Sequence, residues 1–164
     1  MHVRAAAITV SDKGYAGLRQ DRSGPLLAKL LAEMGFEVVL TTIVPDEREQ
    51  IAALLRDLAD GGKVELIITT GGTGAAPRDV TPEATRDVIE REMPGLAALL
   101  RSEGYKVTPW AVLSRGVAGI RKGTLILNLA GSPKAVQEGM EILRSVLPHA
   151  LEMLLGENLE HTSH

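Results

Sequence analysis

Two aspartates and two glycine-bearing loops carry the chemistry available to this chain. Asp79 lies in the stretch Thr69-Thr70-Gly71-Gly72-Thr73-Gly74-Ala75-Ala76-Pro77-Arg78-Asp79-Val80-Thr81-Pro82. That stretch leaves an apolar run, Val64 to Ile68, and ends on a helix start at Thr81-Pro82-Glu83. A buried strand, a glycine loop and a helix N-terminus together form an anion cradle, because bare Cα atoms let backbone amides close on an oxyanion. The plainer reading is a tight strand-to-helix turn. The loop is not a dinucleotide fingerprint, since Pro77 stands where the third glycine of Gly72-x-Gly74-x-x-Gly would fall. It is not a Walker loop either, because no Gly-Lys-Ser/Thr occurs in the chain.

Asp46 follows another apolar run, Glu37 to Val44, after Pro45. Taken singly, Asp46 reads as a helix N-cap and Asp79 as a turn residue. Taken together, two carboxylates at the carboxyl ends of parallel strands make a magnesium site. A carboxylate beside a phosphate repels it, and a divalent cation between them removes the conflict. Asn128-Leu129-Ala130-Gly131-Ser132-Pro133-Lys134 repeats the strand–loop–helix pattern. Its amides and Lys134 offer a second anion or nucleotide subsite, and its plainer reading is a helix cap with Pro133 in the first turn. Ser11-Asp12-Lys13 and Ser114-Arg115 fall on loops that could face the same cleft. Histidine contributes little, since no two histidines have metal-ligand spacing.

The elements that must position these residues follow from apolar periodicity. Val3–Val10, Glu37–Val44 and Glu65–Thr70 read as strands. Ser23 reads as the cap of a helix with Pro25 in its first turn, ended by Gly35. Asp46 reads as the cap of the next helix, with Glu49 at capping-box spacing and Ile51, Leu54, Leu55 and Leu58 on one face. Further helix follows from Pro82, with a break at Met93-Pro94, and continues to Ser102. Val107–Ser114 takes no clear assignment. Val117–Arg121 and Thr124–Leu129 flank Lys122-Gly123 as a hairpin at an antiparallel edge. A long last helix from Gly131-Ser132-Pro133 reaches Leu155, with a kink or interruption at Pro148. The β-α-β-α-β order predicts an α/β fold with a mostly parallel sheet.

The chain has 164 residues, 45% of them hydrophobic, a net charge of -3 and no cysteine. That length supports one self-sufficient core, expected over residues 1–156, with residues 157–164 as a flexible polar tail. The lack of cysteine removes disulfides, thiolate zinc and cysteine nucleophiles, and fits a cytoplasmic protein. No run approaches the roughly 20 apolar residues of a membrane span. Interspersed charge and few aromatics argue against a nucleic-acid partner.

Read in order, several motifs resemble those of the molybdopterin adenylyltransferases of molybdenum-cofactor biosynthesis. They are Val10-Ser11-Asp12, Val44-Pro45-Asp46-Glu47, Thr69 to Gly74, Arg78 to Pro82, Glu92-Met93-Pro94-Gly95, Leu113-Ser114-Arg115 and Leu127 to Pro133. The similarity runs from about Val3 to Leu155. The resemblance implies a three-layer α/β/α sandwich of the molybdopterin-binding type, usually a trimer. It implies transfer of AMP from ATP to the phosphate of molybdopterin, with magnesium and release of pyrophosphate. It matches Asp46 and Asp79 to the metal-linked catalytic aspartates. It matches Gly71, Gly72, Thr73, Gly74, Gly131, Ser132, Pro133 and Lys134 to the nucleotide-binding loops. Ser114 matches a molybdopterin-binding position, with Ser11, Asp12 and Arg78 as further lining. Ala130 departs from the family, where many relatives have proline. A molybdate insertase is an expected docking partner. The alternative to an enzyme is a non-catalytic carrier or scaffold that binds molybdopterin or a nucleotide.

Overall fold

Every residue of Leu66–Thr70 is buried, which is possible only for a strand covered on both faces. In the computed structural model, which describes residues 1–156, this strand (β3) lies inside a six-stranded sheet. The other strands are β1 (Arg4–Val10), β2 (Glu37–Val44), β4 (Arg91–Glu92), β5 (Ala118–Arg121) and β6 (Thr124–Leu129). Their order across the sheet is β2-β1-β3-β6-β5-β4. β2, β1, β3 and β6 run parallel, while β5 pairs antiparallel with β6 and β4 antiparallel with β5. The expected hairpin is present, but the two-residue β4 lies outside it and forms the edge.

Alternation along each strand sends side chains to two separate cores. Ala5, Ala7, Leu66, Ile68, Leu125, Leu127 and Leu129 enter one core. Ala6, Ile8, Val10, Ile67 and Ile126 enter the other. The first core is covered by α2 (Ser23–Glu33), α5 (Pro94–Tyr105), α6 (Pro133–Leu143) and α7 (Leu147–Leu154). The second is covered by α3 (Arg48–Asp60) and α4 (Thr81–Arg86). The three-layer α/β/α sandwich expected from the sequence is therefore the observed architecture.

Several local expectations need correction. The N-cap of α3 is Glu47, and no side-chain cap bond forms there, so Asp46 does not cap this helix. Its carboxylate is drawn instead to the backbone N–H of Asp12, 2.9 Å away. Ser23 does not cap α2, because it is the first helical residue and its hydroxyl donates to the Gly131 carbonyl at 2.6 Å. Asp21 replaces it, accepting the Gly24 N–H at 3.0 Å. The interruption expected at Pro148 is present: the last helix is two helices, with Pro148 in the first turn of α7, where its missing N–H costs nothing. Residues 109–113 form a 3-10 turn, and residues 12–15 (α1) add one helical turn after β1. The tail expected at residues 157–164 lies outside the described residues.

Candidate active site

The four parallel strands end level with one another. Val10 lies opposite Val44, Thr9 opposite Thr70, and Thr70 opposite Leu129. After β1 the chain passes to α2 on one face of the sheet, and after β3 it passes to α4 on the other, so the winding reverses between these neighbours. In an open α/β sheet that switch point leaves a crevice outside the strand ends. The glycines allow the crevice walls to come together. Gly71 has φ 106° and Gly72 φ 70°, both in the left-handed region. A Cβ at Gly71 would overlap the Val10 carbonyl oxygen, and one at Gly72 would overlap the Thr81 hydroxyl. Gly131 packs on the Gly71 backbone, where a Cβ would come within 3.1 Å of the Gly71 Cα.

Side chains tie the two loops down from below. The Thr81 hydroxyl donates to the Gly71 carbonyl at 3.0 Å, and the Thr70 hydroxyl to the Ala130 carbonyl at 2.8 Å. Buried Asn128 donates to the Thr69 and Thr85 hydroxyls and accepts the Val117 N–H. Arg115 fastens the far side. Its backbone N–H donates to the Thr73 carbonyl at 2.8 Å, and its guanidinium donates to the carbonyls of Gly74 and Asp79, each at 2.8 Å. Glu83 holds that guanidinium at 2.7 Å and is itself held below the usual carboxylate range by it. Residue order alone marks Arg115 only as a neighbour of Ser114. Its bonds go to main-chain carbonyls, which leave no mark in residue spacing.

Two clefts open on either side of this loop pair. The more apolar one, of about 560 Å³, is lined among others by Leu100, Trp110, Leu113, Ser114, Lys134 and Thr73. The other, of about 640 Å³, is lined among others by Ser11, Arg19, Arg22, Asp46, Gly71 and Pro133. Gly72, Asp79, Gly131 and Ser132 line both, so Asp79 lies at the junction. Trp110 is 75% exposed on the first cleft. Lys134 lines that cleft on the first turn of α6, with Glu138 at 3.8 Å.

Asp12 and Arg78 line neither cleft. They brace the rim instead. Arg78 donates to both Asp12 oxygens, at 2.6 and 3.1 Å, and to Glu47 and the Asp46 carbonyl at 2.8 and 3.1 Å. Arg78 therefore holds the Asp12 carboxyl below the ordinary range, helped by the Asp46 N–H. Asp46 behaves oppositely. Burial pushes its carboxyl above the ordinary aspartate range, and the charges of Asp12 and Asp79 push the same way, against the Asp12 N–H and Arg78.

Asp46 and Asp79 each accept one protein N–H, on Oδ2, from Asp12 and Ala76 respectively. The second oxygen of each takes no donor from the described residues and could accept a hard cation. Among the described residues no group of three or more acidic or histidine side chains is clustered as a metal cage. A two-carboxylate site suits magnesium, which keeps waters and shares phosphate oxygens rather than demanding a protein cage.

Residues 6–149 match the model of a family described as a probable molybdopterin binding domain. The chain belongs to this family. A solved relative is the molybdopterin biosynthesis enzyme MoaB of Thermus thermophilus, at 52% identity and a TM-score of 0.89, covering 94% of this chain and 98% of that one. A molybdopterin adenylyltransferase of Helicobacter pylori is 36% identical over 160 residues, 96% of this chain and 91% of that protein. The molybdenum cofactor synthesis protein cinnamon of Drosophila melanogaster is 46% identical over 153 residues. This molybdopterin-binding-family chain spans 93% of its own length in that match but only 25% of the fly protein's.

Proposed function

We propose that this protein is a molybdopterin adenylyltransferase, transferring AMP from ATP to the phosphate of molybdopterin. The observation that carries this reading is the pair of clefts meeting at a shared wall of Gly72, Asp79, Gly131 and Ser132. Two substrates that exchange a phosphoryl-type group need two compartments with one junction. Relatives named for this activity match nearly the whole chain.

In the reaction, an oxygen of the molybdopterin phosphate forms a bond to the α-phosphorus of ATP. The bond from that phosphorus to the bridging oxygen breaks, and pyrophosphate leaves with the electron pair. The attacking phosphate is already anionic, so no strong base is required. Positioning and charge neutralisation dominate such transfers. The loop amides at Gly72–Gly74 and Gly131–Ser132 orient phosphate oxygens, and Lys134 adds positive charge on the apolar cleft. Asp46 and Asp79 would hold magnesium, which supplies charge neutralisation of the triphosphate when bound. Ser114, on the apolar cleft, suits a contact to the molybdopterin ring system. A homotrimer, docking to a molybdate insertase and a cytoplasmic setting belong to the same reading.

The test is direct. Purified protein incubated with molybdopterin, ATP and magnesium should yield adenylylated molybdopterin and one pyrophosphate per turnover. Asp79→Asn should lower turnover by about a hundredfold or more with the fold intact. Molybdopterin binding without ATP-dependent pyrophosphate release would instead identify a carrier.

A further inference from the structure

The second cleft holds two arginines whose side chains no other described residue pairs with. Arg19 and Arg22 both line it. Arg4, Arg48, Arg78, Arg115 and Arg121 each sit on a carboxylate. Arg19 and Arg22 have no such partner among the described residues.

The acid between them is committed elsewhere. Asp21 accepts the Thr9 hydroxyl at 2.8 Å on one oxygen and the Gly24 N–H at 3.0 Å on the other. A Cβ at Gly24 would overlap an Asp21 oxygen, so this inward anchoring depends on glycine at that position. One residue beyond Arg22, the Ser23 hydroxyl donates to the Gly131 carbonyl at 2.6 Å. Arg22 is thus bracketed by an anchor to β1 through Asp21 and one to the second glycine loop through Ser23, and Arg19 lies two residues before the first anchor. The segment's own carboxylate faces the protein, and its two guanidiniums are left to the cleft. Gly71, Gly72, Ser132 and Pro133 form the adjoining wall, and Asp46 and Asp79 are the other acids that line the cleft.

Resting on the adenylyltransferase reading, we infer that Arg19 and Arg22 form a polyphosphate subsite and that this cleft takes the β- and γ-phosphates of the nucleotide. Guanidinium is suited to this task, because its planar donor fork matches phosphate oxygens and stays charged at any working pH. Two such forks lining one cleft match a chain of phosphates better than a single one. The polyphosphate then lies on the opposite side of Asp79 from Trp110. The α-phosphorus falls at the wall shared by the two clefts, and the leaving pyrophosphate exits past Arg19 and Arg22.

The test uses inorganic tripolyphosphate as probe, with inorganic phosphate as the comparison, each titrated calorimetrically with magnesium present. Wild-type protein should bind tripolyphosphate and hold inorganic phosphate far more weakly. The Arg19→Ala/Arg22→Ala double variant should lose about tenfold or more in tripolyphosphate affinity, with an unchanged thermal midpoint. Arg56→Ala, on α3 away from both clefts, should bind as wild type. Equal tripolyphosphate binding by wild type and double variant would overturn the inference, and so would no binding by wild type. Equal affinity for phosphate and tripolyphosphate would reduce the subsite to a single-phosphate pocket and also overturn it. Kinetics separate this inference from the reading beneath it. Adenylylation with an unchanged KM for ATP in the double variant sinks the subsite alone. Arginine-dependent tripolyphosphate binding without adenylylation sinks the enzyme reading alone.

Discussion

Asp12 and Asp46 hold each other by a reciprocal pair of hydrogen bonds. The N–H of Asp12 donates to the Asp46 carboxylate and the N–H of Asp46 donates to the Asp12 carboxylate, both at 2.9 Å. The loops after β1 and β2 are thereby locked in register. The two acids differ in electrostatic state. Arg78 stabilises the charge of Asp12, whereas burial and two neighbouring carboxylates oppose that of Asp46.

This asymmetry predicts a trade of stability against function at Asp46. A raised folded-state pKa gives stability that is full below the unfolded pKa and lost as pH rises through the folded value. At neutral pH the Asp46 charge is therefore a liability to the fold. Asp46→Asn keeps an acceptor for the Asp12 N–H and removes the charge. Its thermal midpoint should exceed that of wild type at pH 7, and the gap should close on acidification to about pH 4, near the ordinary aspartate pKa. Adenylyl transfer should fall by about a hundredfold or more. Millimolar magnesium should raise the midpoint of wild type more than that of the variant. A variant less stable than wild type at pH 7 would show that the ionised form is needed structurally.

The paired carboxylates carry the opposite sign. Asp12 and Glu83 have lowered pKa values, so their stabilisation is present above the unfolded pKa and lost as pH falls through the folded values. Asp12→Asn should flatten the acid limb of the stability profile below about pH 4. Thermal melts from about pH 7 down to about pH 2 read this out. Because Arg78 and Asp12 are both substantially exposed, the loss at neutral pH should be small.

Gly71 should tolerate no side chain. Gly71→Ala meets both a positive φ and the Val10 carbonyl, a backbone atom that cannot turn aside. A loss of about 2–4 kcal/mol is expected by urea denaturation. Gly17→Ala shares a positive φ, at 75°, but has no atom within 4 Å of the added Cβ. It should cost only about 1 kcal/mol. Equal losses at the two sites would assign the whole effect to φ and none to the close approach of the strands.

Arg115 should act on rate more than on binding. It touches the carbonyls of Gly74 and Asp79 and lines neither cleft. Arg115→Ala should reduce kcat by about ten- to a hundredfold through misplacement of Asp79, with KM for ATP little changed. Arg115→Lys should recover only part, since one ammonium cannot serve both carbonyls and Glu83. Free guanidine added to the alanine variant should restore part of kcat. A purely structural role would lower the thermal midpoint without this rescue.

Trp110 is the chain's one tryptophan and is exposed on the apolar cleft. A planar ring stacked against it should quench or blue-shift its fluorescence. Titration with molybdopterin or adenosine identifies which substrate's ring occupies that side. An unchanged spectrum with both, at concentrations that saturate turnover, would remove Trp110 from the binding surface.

Much of this protein was legible from residue types alone. Apolar runs determined β1, β3 and β6, because a strand buried on both faces has few other compositions, and the apolar run at the half-exposed edge strand β2 was enough to mark it as well. The glycines at 71, 72 and 131 marked the loops, since positive φ and close backbone approach exclude other residues. Asp46 and Asp79 were identified by following the ends of those strands. Tertiary structure alone decided what Asp46 bonds to, since the choice between capping α3 and pairing with Asp12 depends on β1 and β2 lying side by side. It also decided that Arg78 braces the rim instead of lining a cleft, and that Arg115 fastens the glycine loop through main-chain carbonyls. The division into two clefts with Asp79 between them depends on strands far apart in sequence ending level. Local propensity carries no information about that distance, and only the packed sheet supplies it.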